Sequence, residues 1–367
     1  MSKRVIISGG GTGGHIFPAL SIANALKRLE PDIEILFVGA EGKMEMEKVP
    51  EAGYDIVGLP VQGLLRKITF KNIKVLINLL KSLRKAKSII RTFKPDAVVG
   101  VGGYASGPVG IAAKKMKVPL VLQEQNSYAG ITNRYLAKYA EVICVAYENM
   151  QKFFKPEKTI LTGNPVRKNL LDARLSKAEA YKFYGLDPDR KTILVTGGSL
   201  GARTLNRMMK RALDEIADMN DVQVLWQCGG YYYKQLAEQL QDRLPENVKL
   251  TAFLKRMDLA YACADIVVAR AGAGTISELC LLGKVSILVP SPNVAEDHQT
   301  HNAMALVDKD AAIMMKDDEA EDEFMEVVSK LVDNAAARHK LSENITKLGI
   351  KDSDELIAKE ILKIING

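Results

Sequence analysis

A short β-branched run, Arg4-Val5-Ile6-Ile7, empties into five glycines within six residues, Gly9 to Gly14, and then into a helical pattern from Pro18 onward. Strand, glycine loop and helix in this order open a βαβ unit. Glycines let a ligand approach the backbone closely, and the helix N-terminus that follows favours an anion. Gly9, Gly11 and Gly14 also satisfy G-x-G-x-x-G, so a dinucleotide site is one reading of the loop. The density of glycine and the histidine directly after it, His15, sit badly with that reading.

The pattern recurs. Through the first half, short β-branched runs at Arg4–Ser8, Ile33–Val38, Asp55–Gly58, Ala97–Val101, Leu120–Glu124, Val142–Ala146 and Thr159–Leu161 alternate with helical patterns. Gly163-Asn164-Pro165-Val166-Arg167 breaks the rhythm, and it restarts at Lys191–Thr196 with a second loop, Gly197-Gly198-Ser199-Leu200-Gly201-Ala202-Arg203. Strands at Val222–Gln227, Val248–Ala252, Ile266–Ala269, Val285–Val289 and Ala312–Met314 follow. Alternation of this kind makes a parallel, doubly wound sheet. The chain of 367 residues therefore reads as α/β, two similar doubly wound domains with a boundary in the 163–190 region.

Charge is uneven between them. Residues 1–166 carry 24 Lys and Arg against 13 Asp and Glu, and the remainder 27 against 31. A basic N-terminal half implies an anionic partner surface. Residues 66–94 hold ten Lys and Arg and no acid, with apolar residues on more than one helical face. Leu76, Leu79, Leu80 and Leu83 are assigned to the core, leaving Phe70, Ile73 and Ile77 for another surface beside Arg84, Lys85 and Lys87. A basic helix with surplus apolar residues reads as an anionic membrane surface contact. Nucleic acid is not expected, since aromatics for base stacking are few. No apolar stretch reaches the length of about 18 residues that spans a bilayer. Cys144, Cys228, Cys263 and Cys280 are widely spaced and read as small buried hydrophobes of a reducing compartment.

Several side chains stand where doubly wound folds bind ligands, at strand C-termini. Ser199 and Arg203 add a hydroxyl and a cation beside a helix N-terminus, suited to a diphosphate. Glu278, in Arg270-Ala-Gly-Ala-Gly-Thr-Ile-Ser-Glu278, is either a carboxylate favoured by its helix dipole or the acceptor of both ribose hydroxyls; Arg270 is equally open. His15 and Glu124 are both candidates to take a proton, and the residues alone do not choose between them. His298 and His301, with Glu296 and Asp297, lack a wider ligand pattern, so no metal is expected.

Six stretches, taken together and in order, resemble the MurG family, the N-acetylglucosaminyltransferases of peptidoglycan synthesis. They are residues 10–18, Gly102-Gly-Tyr-Ala-Ser-Gly-Pro108, Glu124-Gln-Asn126 with Thr132-Asn133, Gly163–Arg167, Gly197–Arg203 and Arg270–Glu278. The resemblance implies a GT-B fold, two Rossmann-like domains facing across a cleft. It implies an acceptor and membrane-binding domain at 1–163, with a C-terminal helix at about 350–367 returning to it, and a UDP-GlcNAc-binding domain at 164–349. It implies inverting transfer of GlcNAc from UDP-GlcNAc to the C4 hydroxyl of MurNAc in undecaprenyl-diphospho-MurNAc-pentapeptide (lipid I), giving lipid II, with no cofactor. Uracil would lie near Leu254, ribose on Glu278, diphosphate at the Ser199 loop with Arg203 assisting departure of UDP, and GlcNAc near Asn126 and Gln299. Arg167 and the Thr12-Gly13-Gly14 backbone would also serve the donor. The enzyme would be peripheral, on the cytoplasmic face of the bacterial plasma membrane, with other proteins of wall synthesis as candidate partners. The family often carries two consecutive glutamines where this chain has His298-Gln299. Two rival readings stand beside it, an NAD-dependent oxidoreductase, drawn from the first loop and Glu41, and a UDP-GlcNAc epimerase on a related fold.

Overall fold

The computed structural model describes residues 2–61, 71–167, 170 and 176–367. The chain forms two compact units, residues 1–166 with 350–367, and residues 167–349.

In the first unit β1 (Arg4–Ser8), β2 (Glu34–Ala40), β3 (Asp55–Leu59), β4 (Ala97–Gly100), β5 (Leu120–Glu124), β6 (Val142–Val145) and β7 (Thr159–Leu161) form one parallel sheet ordered 3-2-1-4-5-6-7. β1 lies between β2 and β4, with Ile6 opposite Leu36 on one side and Val98 on the other. Side chains alternate across a strand, and here both faces are covered. Ile6 joins Val98, Leu120 and Ile143 under helices Lys71–Phe93 and Ser106–Lys115, whereas Val5 and Ile7 join Ile22, Leu26 and Val99 on the other face. That second face is completed by the C-terminal helix Ser353–Asn366, whose Ile357, Ala358 and Ile361 are fully buried. Arg28 Nη2 donates to Asp354 Oδ2 at 2.6 Å and locks this helix to Gly13–Leu29.

In the second unit β8 (Lys191–Thr196), β9 (Val222–Gln227), β10 (Val248–Thr251), β11 (Ile266–Ala269), β12 (Val285–Leu288) and β13 (Ile313–Met314) are parallel, ordered 10-9-8-11-12-13. Trp226 is fully buried there, its indole N–H donating to Asn206 Oδ1 at 3.0 Å. The strand order reverses direction at β1/β4 in the first sheet and at β8/β11 in the second. Such switch points open a crevice at the carboxyl ends of the strands. The glycine loops after β1, β4, β8 and β11 all lie at these two points.

Helix Lys71–Phe93 corrects one expectation. Its buried stripe is Val75, Ser82, Ala86 and Ile90, with Leu79 half-buried, while Leu76 and Leu80 are 58% and 50% exposed beside Ile77 at 48%. The helix packs on Ser106–Lys115, with Ala86 and Ile90 in one cluster with Val109, Ala112 and Ala113, and Leu76 and Leu80 lie off that buried stripe. Phe70 lies outside the described residues, as does the side chain of Ile73. No described helix is long and apolar enough to cross a membrane. All four cysteines are free and buried.

Candidate functional site

In the first unit the glycine loop is held by a carboxylate that the sequence reading did not single out. Glu45, 1% exposed, accepts from the Ala40 amide with Oε1 at 3.0 Å and from the Gly11 amide with Oε2 at 2.9 Å. A Cβ on Gly10, whose φ is +142°, would lie 2.2 Å from Oε1 of Glu45. The loop thus gives up a side chain so that a buried carboxylate can fix its backbone. No pattern of residue types pointed to Glu45, which sits among other charged residues at the start of helix Glu45–Glu51.

Thr12 occupies the N-cap of helix Gly13–Leu29 but makes no cap hydrogen bond. Its Oγ1 lies 3.0 Å from His15 Nδ1 instead. The first amides of this helix are therefore left without a side-chain cap, which suits them to an anion or a polar sugar group. The half-buried His15 ring lies against the next loop, where a Cβ on Gly102 would come within 2.9 Å of Nε2.

Glu124, at the end of β5, is 2% exposed. Its Oε1 accepts from the Asn126 amide at 3.1 Å and Asn126 Nδ2 at 3.3 Å, and its Oε2 from the Gly130 amide at 3.1 Å and Asn133 Nδ2 at 2.9 Å. Burial raises its pKa above the ordinary carboxylate value, and the bonds from Asn133, Asn126 and Gly130 oppose that rise. Glu124 and Asn126 are thus brought together, but as parts of one loop-forming network. Beside them the buried amides of Gln123, Gln125 and Asn164 link the loop to the start of the 163–167 segment: Gln123 Nε2 donates to Asn164 Oδ1 at 3.0 Å, and Asn164 Nδ2 to the Gln125 carbonyl at 2.9 Å.

In the second unit helix Arg203–Ala217 starts at Ala202 with no side-chain cap, so its first amides also face the preceding loop uncapped. Ser199 and Arg203 are exposed on either side of that start. A buried glutamine braces the loop: Gln227 Nε2 donates to Gly198 O at 2.9 Å and to Ala252 O at 3.3 Å, and Thr196 Oγ1 donates to Gln227 Oε1 at 2.6 Å. This ties the Ser199 loop to the strand end that leads into Leu254, a buried residue next to the exposed Phe253.

Glu278 lies in helix Ala273–Leu282, near the first turn that follows β11. Arg167 reaches its Oε1 with Nε at 3.1 Å and Nη2 at 2.9 Å, and Tyr261 O–H donates to its Oε2 at 3.0 Å. Burial raises the Glu278 pKa, against the lowering effect of the Arg167 charge and of its two hydrogen-bond partners. Two expected donor residues are therefore joined directly, and Tyr261 is a third member that the sequence reading missed. Arg270 faces inward instead. It donates to Val289 O at 3.0 Å and Pro290 O at 3.2 Å and pairs with Asp317, so it clamps the strand end. Gln299 Oε1 accepts from the Ser291 amide at 2.8 Å and fixes the loop after β12.

This constellation has known relatives. The glycosyltransferase family 28 N-terminal domain matches residues 5–145, and the family's C-terminal domain matches residues 192–359. The UDP-N-acetylglucosamine–N-acetylmuramyl-(pentapeptide) pyrophosphoryl-undecaprenol N-acetylglucosamine transferase of Bacteroides thetaiotaomicron is 57% identical over 363 residues, 98% of this chain and 97% of its own. The chain belongs to glycosyltransferase family 28, on its MurG branch. The protein of the same name from Parabacteroides distasonis is also 57% identical, over 99% and 98% of the two chains. The crystal structure of MurG from Acinetobacter baumannii matches with a TM-score of 0.79 at 27% identity, covering 98% of this chain and 99% of that one. The two doubly wound units are those of the GT-B fold.

Glycine has different reasons at different positions of the second loop, and two substitutions separate them. Gly198, at φ +77°, has open space where a Cβ would go, whereas a Cβ on Gly201, at φ +76°, would lie 2.0 Å from the Cys228 carbonyl oxygen. Gly198→Ala is expected to cost about 1–2 kcal/mol, the strain of a left-handed residue. Gly201→Ala forces backbone apart and is expected to cost more than about 4 kcal/mol. Urea unfolding curves of the two variants check this, and equal midpoints would contradict it.

Proposed function

We propose that the chain moves GlcNAc from UDP-GlcNAc to the C4 hydroxyl of MurNAc in undecaprenyl-diphospho-MurNAc-pentapeptide, forming lipid II with inversion at the anomeric carbon. The observation that carries this reading is identity above half, along almost the whole chain, to transferases named for that reaction. It favours transfer over the oxidoreductase and epimerase readings of the same loops. The second unit binds the donor: uracil beside Leu254, ribose on Glu278, diphosphate on the uncapped amides at Ser199 with Arg203 beside them. Gln299, Arg167, Asn126 and the Thr12-Gly13-Gly14 backbone complete the donor contacts, and the first unit presents the acceptor.

In the reaction the acceptor oxygen attacks C1 of GlcNAc, the bond from C1 to the diphosphate oxygen breaks, and the acceptor proton passes to a base. His15 suits this task better than Glu124. Glu124 already accepts four hydrogen bonds from its own loop. His15 Nδ1 stands 3.0 Å from Thr12 Oγ1, and in the tautomer whose Nδ1–H donates to that hydroxyl, Nε2 is the nitrogen left to take the proton. Charge developing on the leaving diphosphate falls on the helix dipole and the amides behind Ser199.

The exposed Leu76, Ile77 and Leu80, flanked by Lys81 and Arg84, support peripheral attachment to the anionic cytoplasmic face of the plasma membrane. Lys85 is already paired with Glu41 at 2.9 Å and contributes less to that surface.

The direct test is incubation with labelled UDP-GlcNAc and a short-chain lipid I analogue. Label is expected in the lipid product, and its absence sinks the reading. His15→Ala is expected to lower kcat by about 10²–10⁴-fold with an unchanged melting temperature, whereas Glu124→Gln lowers activity and melting temperature together. A Glu124→Gln enzyme as inactive as His15→Ala but fully stable would make Glu124 the base. Arg84→Ala is expected to weaken binding to anionic vesicles by about fivefold, from about 1 kcal/mol per basic residue, and Lys85→Ala by less. Activity on the short-chain acceptor should survive both; equal loss on vesicles and on that acceptor would place the helix in the catalytic fold instead.

A further inference from the structure

Glu278 is held by two side chains of opposite character. Tyr261 is 1% exposed, and burial pushes its phenol far above the ordinary value, with the Glu278 charge adding to the rise. Its hydroxyl stands as a donor to the carboxylate, at 3.0 Å from Glu278 Oε2. Arg167 is 52% exposed on its side chain, and both of its bonds go to Oε1. A guanidinium at that exposure returns to water at little cost. A buried phenol has no such exit, because its hydroxyl would lose its partner without gaining water.

We propose that Tyr261 is a positioning residue for donor recognition: its hydroxyl fixes the Glu278 carboxylate, so that the ribose hydroxyls exchange with Arg167 alone. The inference rests on the reading of Glu278 as the ribose acceptor. Each carboxylate oxygen offers two acceptor positions. Oε2 keeps its bond to Tyr261 and accepts one sugar hydroxyl, while Oε1 releases Arg167 and accepts the other. Arg167, freed from the carboxylate, is then available to the donor's phosphates. The Tyr261 hydrogen bond also favours the charged form of the carboxylate, against the effect of burial, while Arg167 is away. A protonated Glu278 would lose an acceptor position and with it the match to a vicinal diol.

The test uses the full chain and measures dissociation constants for UDP and 2′-deoxy-UDP by titration calorimetry, together with KM and kcat for transfer. Tyr261→Phe keeps the ring and removes one hydroxyl. It is expected to weaken UDP binding by about tenfold or more, the ordinary effect of losing a hydrogen bond to a charged group. 2′-Deoxy-UDP should be weakened far less, so the preference for the ribonucleotide collapses. KM for the donor rises while kcat at saturation stays within about twofold. The acid limb of UDP binding also moves to higher pH, because the carboxylate has lost a partner that favours its charged form. Both nucleotides are titrated against the same preparation, so partial unfolding cancels from the ratio. Arg167→Ala is an independent arm: it should keep the preference for UDP over 2′-deoxy-UDP even where overall affinity falls. Collapse of the preference in Arg167→Ala, or its full retention in Tyr261→Phe while Glu278→Gln loses it, overturns the proposal and leaves the ribose reading standing. Retention of the preference in Glu278→Gln overturns the ribose reading itself.

Discussion

Within each unit, neighbouring loops at the carboxyl ends of the strands touch backbone to backbone, and much of the candidate site depends on that contact. A Cβ on Gly103 would lie 2.3 Å from the carbonyl oxygen of Gly10, and one on Gly229 would lie 2.4 Å from that of Leu200. Side chains are excluded where two main chains meet this closely, so the loops present amides rather than side chains. Helices Gly13–Leu29 and Arg203–Ala217 then begin without side-chain caps, directly behind the loops. In each unit the loop after the first strand is one partner of the contact, meeting the loop after β4 in the first sheet and the loop after β9 in the second. Amides that no side chain satisfies are suited to ligand oxygens.

Backbone held this bare needs support from below, and buried polar side chains supply it. Glu45 fixes the Gly11 amide, Glu124 the amides of Asn126 and Gly130, and Gln227 the carbonyls of Gly198 and Ala252. Each is nearly inaccessible to water, where an unsatisfied polar group is costly and a satisfied one is rigid. The price in glycine and in buried charge is recovered as preorganisation, since donors already aimed at a ligand need no rearrangement when it arrives. Glu278 is the contrast. Its partners are side chains, and one of them, Arg167, is half exposed.

Much of this was legible in the chain itself. The strands fell on β-branched runs, and those after which the glycine loops follow, β1, β4, β8 and β11, were the plainest, because a parallel sheet buried on both faces needs unbroken apolar runs. Thr12, His15, Ser199 and Glu278 stood out because polar residues beside glycine at a strand's end have few structural uses. Glu45 and Tyr261 were not legible. Their importance lies in contacts made across 34 and 17 residues of sequence, and each looks locally like an ordinary helical residue. Leu76 and Leu80 were misassigned to the core for a related reason: the periodicity showed an apolar helix, but packing against another helix, with Ala86 and Ile90 beside Val109, Ala112 and Ala113, set which stripe was buried.

Hydrogen exchange of the full chain with and without UDP tests the division of labour between the two glycine loops most directly. Slowed exchange is expected in peptides covering residues 197–203 and 272–278, with residues 9–15 unchanged by the nucleotide alone. Protection by UDP confined to residues 9–15, with the second loop unaffected, would contradict it.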